Sequence, residues 1–134
     1  MTTLAVIDTH AMLWLASNQR KRLGRNAVRM IDRVERGHAA LYLPTMTLVE
    51  IGEAAWRGRV HLEGGFDVWV DRVIATGRYH VVELTLAIVR RAETLHAIPE
   101  RDDRLIAATA AEMDLPLITR DPAIAAAADV EAIW

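Results

Sequence analysis

Apolar and polar positions alternate between two rhythms along the 134 residues of this chain. Short apolar-rich runs, Leu4-Ala5-Val6-Ile7, Ala39-Ala40-Leu41-Tyr42-Leu43, Tyr79-His80-Val81-Val82-Glu83-Leu84 and Leu115-Pro116-Leu117-Ile118-Thr119, are separated by stretches of helical spacing. The first two and the last lack the polar alternation of a half-exposed strand, which predicts strands of a parallel sheet covered on both faces. The intervening stretches predict helices over 10–16, 25–36, 46–56, 66–75, 86–95 and 102–110, a weak helix over 123–128 and an edge strand over 130–134. Gly37, Gly58 and Gly77 follow helices as stop signals, Pro44 closes the second strand, and Thr45 and Thr85 stand as helix caps. Strands alternating with helices in this order predict a three-layer α/β/α domain with a central parallel sheet of four to five strands, doubly wound at this length rather than closed into a barrel. The length fits one domain over 1–134.

Composition narrows the chemistry mainly by exclusion. The chain has no cysteine, which removes disulfides, thiolate metal sites and cysteine nucleophiles and leaves oxygen or imidazole to hold any metal. No apolar run approaches the roughly 20 residues of a membrane span, and Met1-Thr2-Thr3 leads into the first strand without a charged leader, so a cytoplasmic protein without membrane association is expected. The net charge of −2 does not announce a nucleic-acid binder. Arg25, Arg29, Arg33 and Arg36 form a stripe on the second helix, read as a solvated face partnered by Asp32 and Glu35 rather than as an RNA track.

The acids at strand ends change the picture. Asp8 ends the first run and Asp121 follows the fourth, and parallel sheets collect ligand sites at the carboxyl ends of their strands. Taken alone, Asp8 is equally well explained as the cap of the helix behind it. Glu50 and Asp103 lie within the early turns of helices that leave the same rim, Glu50 sharing a stripe with Thr47 and Ala54 instead of the most polar side. Carboxylates gathered in one crevice resist ionisation unless a cation sits among them. A hard divalent ion such as Mg²⁺ suits an all-oxygen donor set, and it polarises phosphodiesters and activates water. The same repulsion predicts that Asp8→Asn or Asp121→Asn raises the melting temperature of the metal-free protein.

In their order and spacing, four segments resemble the PIN-domain ribonucleases, and within them the VapC toxins of bacterial type II toxin–antitoxin pairs. They are Val6-Ile7-Asp8-Thr9-His10 with Leu13-Trp14, Pro44-Thr45-Met46-Thr47-Leu48-Val49-Glu50-Ile51, Asp103-Arg104-Leu105-Ile106-Ala107-Ala108-Thr109-Ala110, and Leu117-Ile118-Thr119-Arg120-Asp121. The resemblance implies that Asp8, Glu50, Asp103 and Asp121 are the catalytic, metal-binding acids for Mg²⁺ or Mn²⁺, with Thr9 and Thr119 as hydroxyls beside them. It implies an RNA substrate, a small cognate antitoxin and a homodimer. Where the family commonly shows Asp-Pro-x-Asp-Arg, this chain has Glu100-Arg101-Asp102-Asp103-Arg104. Asp103, three residues before Ile106, takes the metal-ligand position, Asp102 the helix cap, and Glu100 a second-metal or water-orienting place. Thr47 stands where relatives often carry serine.

Other residues have plainer readings. His10 fits packing or hydrogen bonding at a strand end, and His61, His80 and His96 show no ligand spacing. Trp14, Trp56 and Trp69 read as core or interface residues, and Glu53 as solvated. Arg104 is expected to pair with Asp121 or to orient substrate phosphate. Two other functions compete. A haloacid-dehalogenase-like phosphatase also opens on a strand ending in Asp, but it requires a second acid where this chain has His10. A catalytically inactive domain that binds RNA or a partner is the other, and retention of all four acids speaks against it.

Overall fold

In the computed structural model, which describes residues 3–134, the strands are β1 (Thr3–Ile7), β2 (Ala39–Pro44), β3 (Tyr79–Val82), β4 (Leu117–Ile118) and β5 (Ala132–Ile133). Met1 and Thr2, on which the expectation of an uncharged lead rests, lie outside the described residues. The helices are α1 (Thr9–Ala16), α2 (Arg25–Glu35), α3 (Thr45–Trp56), α4 (Phe66–Ala75), α5 (Leu86–Ala92), α6 (Arg101–Met113) and α7 (Pro122–Ala127), with a 3₁₀ turn at Arg20–Arg22. All strand pairs are parallel, in the order β3-β2-β1-β4-β5. The chain runs outward from β1 through β2 to β3 and then crosses to β4 on the other side of β1. The topological switch therefore lies between β1 and β4, where a ligand crevice forms in sheets of this kind.

Alternation along β1 fills both faces of the sheet. Ala5 and Ile7 join Leu41, Leu43 and Ile118 in a core completed by Trp14 of α1, Ile31 and Val34 of α2, Ile51 of α3 and Trp69 of α4. Val6 points the other way, packing with Leu117 against Ile106 and Ala110 of α6. A smaller cluster joins α5 to α6 through Ile88, Ala92, Ala107 and Ala108, whose alanines permit close approach. Three layers follow from these two faces, as the unbroken apolar runs predict. No helix among the described residues is long and apolar enough to cross a membrane.

Several boundaries and contacts differ from the sequence expectations, each for a local reason. Pro44 is paired with Val82 in the sheet and also occupies the cap position of α3, so Thr45 is the first helical residue and caps nothing. β3 stops at Val82 because its neighbour stops at Pro44, which leaves Glu83 and Leu84 unpaired and exposed. Helix α5 ends at Ala92, and the Thr94 hydroxyl donates to the Arg91 carbonyl in the turn that follows. Asp32 and Glu35 do not serve the arginine stripe of their own helix. Both are held by Arg20 from the 3₁₀ turn, at 2.6 and 2.8 Å. Glu53, exposed as expected, pairs with Arg57 at 2.7 Å. Trp14 and Trp69 are buried, whereas Trp56 is 79% exposed and outside the core.

Thr47 is fully buried in α3, and its hydroxyl has no hydrogen-bond partner. An orphaned buried hydroxyl costs about 1–3 kcal/mol. Thr47→Val keeps the shape and removes the orphan, so the variant is expected to melt higher by several degrees, at about 4 °C per kcal/mol for a domain of this size. A thermal melt that shows Thr47→Val below the parent would mean that the hydroxyl is satisfied in solution.

Candidate active site

The residue that leaves β1 is held from two directions. The Asp8 N–H donates to the Ile118 carbonyl at 3.1 Å, which ties it to β4. Its carboxylate caps α1 by accepting from the Ala11 N–H at 3.0 Å. Capping is thus a real part of what Asp8 does, and it aims the carboxylate over the switch point. Next to it, the Thr9 hydroxyl donates to Glu50 Oε1 at 2.5 Å, a bond between α1 and α3. On β4's side the buried Thr119 hydroxyl accepts from the Asp121 N–H at 3.2 Å and hydrogen-bonds the Asp8 side chain. Asp121 is exposed and caps α7 through the Ala123 N–H at 3.0 Å.

Burial is the first cause of a raised pKa at three of these acids. It pushes the Asp8 carboxyl up, against the Thr119 hydrogen bond, the Ala11 N–H and the charges of His10 and Arg120. Burial also pushes Glu50 up, opposed by Thr9 and His10 and reinforced by the charges of Asp102 and Asp103. Asp103 is raised by burial and by the charges of Glu100, Asp8 and Asp121, with His10 opposing. Asp8, Glu50, Asp103 and Asp121, contributed by four different elements, therefore lie in one electrostatic neighbourhood.

Among the described residues, no three Asp, Glu or His side chains form a ready-made coordination cage. The donor set still fits a hard divalent cation. Mg²⁺ keeps several waters and takes one or two carboxylates plus substrate phosphates rather than an all-protein shell. Asp8, Glu50 and Asp103, all desolvated and the last two also raised by neighbouring acids, are the groups whose ionised forms such a cation would relieve.

The neighbouring candidates divide. Glu100, not Asp102, occupies the cap position of α6, without a capping side-chain bond. Asp102 sits in the first turn, bonded to Arg101 at 3.0 Å, where the helix dipole favours an acid without further cause. Arg104 does not reach Asp121. Its guanidinium donates to the carbonyls of Ile98 and Pro99, both at 2.9 Å, and so secures the loop before α6. His10, where the phosphatase reading would need an acid, is exposed, with its ring tilted against Trp14 at 5.8 Å.

Sequence reasoning missed the cations around Trp14. The i, i+4 spacing of His10 and Trp14 was the available signal. Arg22 and Arg120 reach the same ring through the fold. A groove of about 560 Å³ opens beside the acids, lined among others by Thr9, His10, Trp14, Arg22, Glu50 and Arg59.

Residues 5–130 match the family model of the PIN domain. No curated protein matches the chain. Among solved structures it is similar to VapBC2 from Rickettsia felis bound to a DNA fragment from their promoter, at a TM-score of 0.70 and 11% identity over 97% of each chain. It is also similar to FitAcB from Neisseria gonorrhoeae, at a TM-score of 0.66 and 19% identity over 98% of this chain and 97% of the other. A toxin–antitoxin complex from Klebsiella pneumoniae matches at a TM-score of 0.58 and 20% identity, over 87% and 86% respectively. At these identities the likeness is one of fold.

Proposed function

We propose that this chain, which belongs to the PIN domain family, is a divalent-metal-dependent endoribonuclease and the toxin of a bacterial type II toxin–antitoxin pair. The observation that carries this reading is the overlap of desolvated carboxylates at the switch point: Asp8, Glu50 and Asp103 are raised by burial, and two of them also by one another's neighbours. Of the three, capping accounts for Asp8 alone, whereas several desolvated carboxylates brought to one switch point are the pattern of a functional site.

In this reading Asp8, Glu50, Asp103 and Asp121 are the acids that would hold Mg²⁺ or Mn²⁺, with waters and substrate phosphate completing the ion's shell. When bound, the ion supplies Lewis-acid polarisation of a phosphodiester and a water of lowered pKa. The chain's own residues do the positioning. Thr9 fixes the Glu50 carboxylate, while Thr119 and the Ala11 N–H fix Asp8. Glu100 adds negative charge beside Asp103 and so strengthens the demand for a cation. The phosphatase alternative loses its second acid at His10, and the family match favours the nuclease.

A small antitoxin fits the same electrostatics. An arginine or lysine offered by a partner protein would satisfy the acids in place of metal and so inhibit without unfolding the enzyme. That partner is supported by the toxin–antitoxin complex among the similar structures. A homodimer acting on RNA in the cytoplasm completes the proposal.

Cleavage of single-stranded RNA by the purified chain, freed of any antitoxin, is expected in Mg²⁺ or Mn²⁺ and is expected to vanish in EDTA. Return of activity on adding back excess Mg²⁺ supports the metal. Cleavage undiminished by EDTA overturns the mechanism.

A further inference from the structure

Trp14 gathers positive charge at the rim of the acidic crevice. Trp14 is 7% exposed, yet the Arg22 guanidinium lies 4.6 Å and the Arg120 guanidinium 5.1 Å from its ring centroid. Such stacking is attractive because the indole face is electron-rich. The two cations therefore stand no farther apart than the sum of those distances, and they repel. Among the described residues neither has an acidic partner within ion-pair distance. Arg57 and Arg101, which line the groove beside Arg22, are neutralised by Glu53 and Asp102, while Arg120 reaches Trp14 from outside that groove.

Asp8 feels the charge of Arg120 from a distance but makes no ion pair with it; its carboxylate accepts from the Ala11 N–H, and Glu50 accepts from the Thr9 hydroxyl. Arg22 is steadied by donating to Gln19 Oε1 at 3.1 Å, which fixes the fork without removing its charge. Two oriented guanidiniums sharing one ring call for an anion with several oxygens, and phosphate matches the fork geometry of arginine.

We propose that Arg22 and Arg120, carried on Trp14, form a phosphate seat that grips the RNA backbone beside the phosphodiester held at Asp8, Glu50 and Asp103. This rests on the nuclease reading for its substrate. The seat sets where the strand lies, so its arginines are positioning residues that act on binding more than on the chemical step.

The test compares Arg22→Gln, Arg120→Gln, their double variant and Arg120→Lys with Arg29→Gln, a change of an exposed arginine on α2. Melts verify that each variant remains folded. With a short single-stranded RNA of mixed sequence, each glutamine change at the seat is expected to raise KM about three- to fivefold, the scale of one solvent-exposed charge contact. The double variant multiplies the two effects, and kcat changes little. In binding titrations, the slope of log Kd against log salt is expected to fall by about 0.7 for each arginine lost. Arg120→Lys restores the slope and only part of the affinity, because an ammonium cannot form the fork. Arg29→Gln behaves as the parent. Seat variants that coincide with Arg29→Gln in both KM and slope, while the parent still cleaves, overturn the seat and leave the nuclease standing. A parent that binds RNA with the expected slopes but never cleaves it defeats the nuclease and keeps the seat. A parent that does not bind RNA overturns both.

Discussion

Asp8→Asn is expected to reduce RNA cleavage by at least a hundredfold and, in EDTA at neutral pH, to raise the melting temperature by several degrees. On the proposed reading the activity loss follows because Asp8 is one of the acids that would hold the metal, and even groups one bond removed from a metal cost about 10–100-fold. The stability gain follows from burial. The folded-state pKa of Asp8 lies above its ordinary 3.8. A carboxyl raised in this way binds its proton more tightly in the folded state, so its contribution favours folding fully below the unfolded pKa and is lost as pH rises through the folded one. At neutral pH the parent therefore carries a buried charge that asparagine does not. Asparagine retains the volume and caps a helix about as well, so the bond from Ala11 survives. The gap between variant and parent is expected to be widest at neutral pH and to close as pH falls toward 3.8. Added Mg²⁺ stabilises the parent by mass action and the variant much less, which narrows or reverses the gap. A variant that melts below the parent in EDTA at neutral pH would show that the fold needs the ionised carboxylate, and the site would be structural.

The same substitution at Asp121 separates the two strand-end acids. Asp121 is exposed and its one side-chain bond is the cap of α7, which asparagine reproduces. Asp121→Asn is therefore expected to leave the melting temperature close to the parent's. Repulsion alone predicts the same gain at both acids; the burial of Asp8 and the exposure of Asp121 make the two expectations differ.

What was legible in the chain follows from burial. Strands covered on both faces show as unbroken apolar runs, and an acid at the end of such a run stands out, so β1, β2, β4 and the places of Asp8 and Asp121 could be read directly. Features that depend on a neighbour could not. The end of β3 is set by Pro44 of β2, and the partner of Asp32 and Glu35 arrives from a turn that a helical wheel does not contain. From the sequence, Arg104 beside the acids suggests a pair with Asp121 or a substrate phosphate, while in the fold its guanidinium satisfies two loop carbonyls. Trp14 reads as core and is core; that its ring also carries two guanidiniums depends on residues from distant segments meeting at one indole.

Gly24 and Gly52 make opposite predictions for one substitution. Gly24 caps α2 at φ −69° and ψ 164°, a conformation open to any residue, so space alone excludes a side chain there. A Cβ at this position would lie 2.5 Å from Trp134 Cδ1 and 2.6 Å from its carbonyl carbon. Trp134 has little freedom to retreat. Its carbonyl accepts from the Asn26 N–H at 3.3 Å, its ring rests 5.9 Å from Trp14, and the preceding Ile133 carbonyl accepts from the Thr119 N–H at 3.2 Å. Gly24→Ala must therefore move backbone at the edge of the sheet, at about 1–3 kcal/mol for overpacking. Gly52 lies inside α3, where a Cβ would meet the ring edge of Phe66 at 3.4 Å, an ordinary contact. Gly52→Ala relieves the entropic penalty of a helical glycine, about 0.5–1 kcal/mol. At about 4 °C per kcal/mol, the first variant is expected to melt roughly 4–12 °C below the parent and the second a few degrees above it. Because Thr119 links Asp8 to β5, the displaced Trp134 should also cost Gly24→Ala some RNA cleavage at temperatures where it is still folded, whereas Gly52→Ala should lose none. Equal melting of Gly24→Ala and parent would mean that Trp134 does not sit on α2 in solution, and with it would go the packing that holds Trp14 at the rim of the site.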